Sequence, residues 1–167
     1  MEITDFANRG EQKDFCVLFD RHEIEYDVKV KAVAAAKIVY HDAANDLRND
    51  IVEASTQKDM LDRNIKTAIS NIKERIRFAV RPHSRMASNE ILEGGIQYNI
   101  PLSFSDEWRS EPETLCDAMH DYIVKFIISK WADLTGQKNE VYKLEADEAL
   151  NNVHDIACNY VCDFYSK

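Results

Sequence analysis

From Met60 to Val80 apolar residues recur every three or four positions, as Met60/Leu61, Ile65, Ala68/Ile69, Ile72, Ile76 and Val80. This is one face of a helix of period 3.6, predicted over "STQKDMLDRNIKTAISNIKERIRFAV". Ser55 or Thr56 offers a cap, Asp59 sits in the first turn, and Arg81-Pro82 ends it. The last 55 or so residues show the same period twice. In the first helix Leu115, Met119, Tyr122, Ile123, Phe126 and Leu134 share a face, widened by Ile127 and Trp131. In the second, the shared face holds Tyr142, Ala146, Ala149, Leu150, Val153, Ala157, Tyr160 and Phe164. The break at "LTGQKN" is too short for anything but an antiparallel hairpin, placed at residues 112–165.

Upstream the pattern changes. The first ten residues read as frayed, and "EQKDFCVLFDRH" as a short helix burying Phe15, Leu18 and Phe19. In "EIEYDVKVKAV" Ile24, Tyr26, Val28 and Val30 alternate with charged neighbours, which predicts a half-buried strand. The alanine-rich stretch after it, to Asp50, reads as helix, and "RPHSRMASNEILEGG" as a loop. "GIQYNIPLSF" alternates again, and Pro101, which has no N–H for a ladder, confines this second strand to an edge or a bulge. The two strand candidates are expected to pair with each other.

These elements predict a mainly α fold. Residues 1–167 form a single domain of four to five helices with a C-terminal antiparallel helical hairpin and a small two-stranded β element. Composition agrees: 167 residues suffice for one core that buries about 70% of the extended-chain surface. Four Gly and three Pro are too few for a turn-rich sandwich. Lys125, Lys130 and Asp133 interrupt the most apolar segment, "DYIVKFIISKWADL", so it reads as a buried helix and not as a membrane span of roughly 18 to 20 residues. No basic n-region or apolar h-region opens the chain, which sets the expectation of a cytoplasmic protein with reduced cysteines.

A net charge of −9 opposes broad binding to nucleic acid or to an anionic membrane, because such binding draws on counterion release from phosphate. A local exception gathers Lys73, Arg75, Arg77, Arg81 and Arg85, with His83, against the single acid Glu74. Cations at a helix C-terminus oppose the negative end of its dipole; a phosphate or acidic contact is the alternative.

Two constellations could carry metal chemistry. Cys116 and His120 are i and i+4 on one hairpin helix, His154 and Cys158 are i and i+4 on the other, and Cys162 extends the second row. Thiolate and imidazole in that number suit a tetrahedral zinc site. By helical arithmetic, however, the second pair sits about 90° to 130° round from the apolar seam, and the cysteines serve equally as small hydrophobes. The dipeptide His41-Asp42, with His22 upstream and Asp117 distant, resembles the metal core of HD-type phosphohydrolases, although Ala43-Ala44 stands where that motif has glycine. Phosphate-cradling glycine loops, a nucleophile elbow and HExxH are all lacking, and Glu145 and Glu148 read as solvated acids.

From "YNIPLSFSDEW" onward the layout resembles a family of uncharacterised small proteins encoded in bacterial prophages near virion genes. The shared features are Tyr98, Ile100 and Leu102 in an alternating strand, Asp106 in a turn, "YIVKFIISKWADLT" with its W-x-x-x-T ending, and "VYKLEADEALNNV" opening at a tyrosine. With "STQKDMLDRNIKTAI" the resemblance spans roughly residues 55–160; "KVKAVAAAKIVYHDAAND" departs from the Thr- and Tyr-rich segment of the family. The resemblance implies a virion or virion-assembly protein, of the head–tail connector kind, with no catalytic residue and no cofactor. The expected partners are other virion proteins or further copies of the chain in a homo-oligomer, in the host cytoplasm or the virion. Tyr98, Ile100, Leu102 and Phe104, with Trp108, form the expected contact surface, since an edge strand offers unpaired backbone groups.

Overall fold

The run Phe15-Cys16-Val17-Leu18-Phe19 is a strand, not a helix. In the computed structural model, which describes residues 2–5, 12–39, 55–81, 97–134 and 140–160, it forms the middle of a three-stranded antiparallel sheet. β1 (Glu2–Asp5) pairs along one side of β2 (Gln12–Asp20) and β3 (Gln97–Ser105) along the other. Phe15, Cys16, Val17 and Phe19 are all buried, so both faces of β2 are covered and the alternation that marks a strand is lost. The opening residues, expected to fray, supply β1, with Ile3 opposite Val17.

Phe15, Val17 and Phe19 share one face and stand opposite Leu102, Ile100 and Tyr98 of β3. Phe104 stacks on Trp108 at 4.2 Å between centroids, and Phe15 lies 5.8 Å from both rings. Pro101 sits on the edge strand, as its missing donor requires. Residues 101 and 103 turn their backbone polar groups away from β2: Ser103 N–H donates to the Ala79 carbonyl and the Pro101 carbonyl accepts from Arg81 N–H. The proline thus falls where β2 needs no donor.

The segment predicted as a strand, Ile24 to Val30, lies inside α1 (Arg21–Val39). Ile24, Val28 and Ala32 are buried while Tyr26 and Val30 are exposed, and that i, i+4, i+8 row also satisfies a period of two. The deciding signal is the cap. Asp20 Oδ1 accepts from the N–H groups of His22 and Glu23 at 2.7 and 3.4 Å, satisfying two free donors of the first turn. Glu25 then bridges Arg21 and Lys29 at i−4 and i+4.

α2 (Ser55–Arg75) buries the expected row of Ile65, Ala68, Ile69 and Ile72. It ends one turn before Val80, and Ile76 to Ala79 form turns that carry Val80 onto Leu102 as an isolated bridge. α3 (Pro112–Leu134) and α4 (Glu140–Ala157) make the predicted hairpin, but its second helix stops at Ala157; Tyr160 lies beyond it, bridged to Trp108, and Phe164 is outside the described residues. Their antiparallel sense shows at both ends: Lys143 pairs with Asp133 at 2.9 Å, and Trp108, just ahead of α3, donates Nε1–H to the Ile156 carbonyl at 3.0 Å.

α3 is the central helix. Leu115, Met119, Ile123, Val124, Ile127 and Ile128 are buried on nearly all sides of it, with α1, α2 and α4 as neighbours. Among the described residues a single buried cluster joins the sheet to helices α1 to α4 and holds Phe126 and Val153 together. The fold is therefore mainly α with a small antiparallel sheet, which has three strands where the periodicity suggested two.

Candidate functional site

The surface expected to bind a partner is interior. Tyr98, Ile100, Leu102, Phe104 and Trp108 are each at most 2% exposed. Their strand is an edge, but its outer rim pairs with Ala79 to Arg81 and its apolar face carries the core. Alternation in a strand reports burial of one face; it does not distinguish a core from a docking surface.

The four candidate metal ligands separate into two places. Cys116 is fully buried, and burial, with the charge of Asp117, pushes its thiol up to about 12. His120 Nε2 lies 2.9 Å from Asp27 Oδ2 on α1. His154 and Cys158 meet near the end of α4, Nε2 to Sγ 3.5 Å, with Asp155 Oδ1 3.5 Å from Nδ1 and the Phe78 ring edge-on at 6.4 Å. One pair faces α1 and the core, the other the corner after α2. Among the described residues no group of three or more His, Cys, Asp or Glu side chains is placed to hold a metal ion.

His22 and Asp117 are exposed, and His41 and Asp42 lie outside the described residues. The basic cluster is dispersed. Lys73 turns toward the sheet, where burial lowers its pKa and the nearby Cys16 thiol opposes that effect. Arg75 donates to Asn151 Oδ1 on α4 at 2.5 Å, and Arg81 pairs with the buried Asp14. Arg77 is exposed and makes no ion pair among the described residues; Arg85 and His83 lie outside them.

A polar network that periodicity does not reveal lies where β2 passes into α1. The Arg21 side chain is 5% exposed; Nε donates to Asp62 Oδ1 at 2.6 Å and Nη1 meets Glu25 at 3.4 Å. Burial works against its charge, yet Asp62, followed by Glu25, holds its pKa above the ordinary value. The Tyr98 hydroxyl donates to the same Asp62 oxygen, and burial, with the Asp62 charge, raises its pKa strongly. All four groups have partners, so the cluster joins three elements.

What remains open to a partner is a set of large apolar side chains: Tyr26 and Val30 on α1, Met60 on α2, Phe78 in the turns after α2, and Val141 and Leu144 on α4. Val141 and Leu144 on α4 are 62% and 59% exposed, and Phe78 is 52% exposed. The signal was legible: a core face running through Tyr142, Ala146, Ala149 and Val153 leaves 141 and 144 on the far side of the helix. Around them stand the exposed acids Glu140, Glu145, Asp147 and Glu148. Among the described residues no helix is long and apolar enough to cross a membrane. No protein-family model, no curated protein and no solved structure matches the chain.

Proposed function

We propose that this protein is a non-enzymatic structural or assembly component of a phage or prophage particle, working through protein–protein contacts. The observation that carries the contact role is the exposure of Val141 and Leu144 on the outer face of α4, in a chain whose sheet and helices already close one core. Large apolar groups held on the solvent side of a rigid helix gain free energy when a second surface covers them. The particle assignment is drawn from the sequence resemblance. The features it rests on occupy successive elements: Tyr98, Ile100 and Leu102 in β3, Asp106 in the following turn, Trp131 in the last turns of α3, and Tyr142 in the first turn of α4.

Density-gradient fractionation of particles from producing cells tests this reading. The expected result is that the chain bands with particles or assembly intermediates, and that deleting its gene halts assembly at an intermediate. A chain that stays at the top of the gradient, with normal particle yield in its absence, would overturn the reading.

A further inference from the structure

Three side chains at the end of α4 form a row in which each can serve the next. Cys158 stands just past the helix and is exposed, and its Sγ lies 3.5 Å from Nε2 of His154, in the last turn. On the other side of the imidazole, Nδ1 lies 3.5 Å from Asp155 Oδ1. The Phe78 ring stands edge-on to the imidazole at 6.4 Å between centroids and restricts its rotation. With Asp155 accepting from Nδ1–H, Nε2 is left to accept the thiol proton. A nucleophile, a base within reach of it and a third group that orients the base are the parts by which proteins activate a thiol. Cys16 and Cys116 are closed off from solvent, so that chemistry falls to Cys158.

We infer that Cys158 is a modification site, where a low-molecular-weight disulfide forms a mixed disulfide with the protein and His154 acts as the base. His154 Nε2 takes the Sγ proton, and the thiolate attacks one sulfur of the disulfide. A new S–S bond to Cys158 forms as the reagent's own S–S bond breaks; the departing half leaves as a thiolate and collects the proton from the imidazolium. Cys158 is oxidised, the departing half is reduced, and no further reactant enters. The place of the base matters. Carbonyls at a helix C-terminus attract a cation and repel an anion, so the imidazolium is favoured there, while a thiolate depends on the positive charge formed beside it. The inference draws neither on the contact surface nor on the particle assignment, and each can fail alone.

Incubating the reduced full chain with glutathione disulfide at neutral pH, with adducts located and timed by peptide mass spectrometry, tests this. Cys162→Ser, which removes the other thiol of this terminus, is run beside the wild type. The expected result in both is an adduct on Cys158, formed at least about fivefold faster than on the same cysteine of the urea-unfolded chain. Exposure alone gives the reverse order, because a folded surface can only restrict access. His154→Gln brings the folded rate down to the unfolded one, and Asp155→Asn lowers it less. Cys158 stays as exposed in the His154→Gln variant as before, so the loss separates activation from access. A folded rate no faster than the unfolded one, a rate indifferent to His154→Gln, or a wild-type adduct carried by Cys162 instead would overturn the inference.

Discussion

Arg21 and Asp62 meet at 2.6 Å beneath the junction of β2 and α1, and Tyr98 from β3 donates to the same carboxylate oxygen at 3.2 Å. A guanidinium buried this deeply is tolerated because its partner is fixed. Removing Asp62 leaves Arg21 with Glu25 alone, and removing Arg21 leaves a part-exposed Asp62 with Tyr98, each at a cost of about 2 to 3 kcal/mol. Asp62→Asn and Arg21→Met are expected to lower stability by that order in urea unfolding, whereas Tyr98→Phe removes one hydrogen bond and costs about 1 to 2 kcal/mol. The double variant Arg21→Met/Asp62→Leu loses less than the sum of its parts, since neither charge is left alone.

Trp108 fixes the open end of the hairpin. Its ring stacks on Phe104, its Nε1–H donates to the Ile156 carbonyl, its carbonyl accepts from Lys13 Nζ, and Arg109 N–H donates to the Asn159 carbonyl. Trp108→Phe keeps the stacking and loses one bond, for about 1 kcal/mol, because Ser110 still serves the Ile156 carbonyl. Trp108→Ala empties a fully buried site and is expected to cost about 3 to 5 kcal/mol in the same unfolding assay.

Acid should unfold the protein through surface carboxylates. Burial works against the Asp121 charge, but hydrogen bonds from Lys125 and Lys31 outweigh it and hold its carboxyl below the ordinary value. A hydrogen bond from Lys29 does the same for Glu25. A depressed carboxyl stabilises the fold at any pH above its unfolded value and loses that contribution as pH falls through the folded one. The melting temperature is expected to fall below about pH 4, and Asp121→Asn to flatten part of that acid limb when melting is followed by circular dichroism.

The cysteines offer a direct probe of burial. Cys16 and Cys116 are closed off from solvent, and burial raises both thiols, so neither supplies thiolate at neutral pH. Cys158 is exposed beside His154. Mass spectrometry after brief alkylation of the folded protein should find Cys158 modified, with Cys16 and Cys116 modified only after denaturant is added.

The helical hairpin could be read from the sequence because its amphipathic period is long, and α2 for the same reason. Where reading failed, two periods coincided or vanished. Ile24, Val28 and Ala32 fit both a helix and a strand, and Asp20, the capping residue that decides for the helix, carries no apolar signal of its own. Phe15 to Phe19 lost their alternation because both faces of β2 are covered. The site fared worse. Tyr98 to Phe104 looked like a docking strip because strand periodicity shows which side chains share a face and leaves open what covers them. Val141 and Leu144 add nothing to the periodicity of α4, which marks the core face they oppose.

The pairing of β2 with β3 has a bearing on how the chain is made. Gln12 finds its ladder partner in Ser105, and Asp20 finds its own in Gln97, so the central strand must wait for α1 and α2 to be synthesised before its second neighbour exists. During that interval Phe15, Val17 and Phe19 lack the surface that will shelter them, and a nascent polypeptide stopped short of residue 97 presents a sticky half-sheet suited to chaperone capture. The helical hairpin follows β3 in the chain, so on the ribosome the sheet gains its third strand before α3 and α4 arrive to cover it.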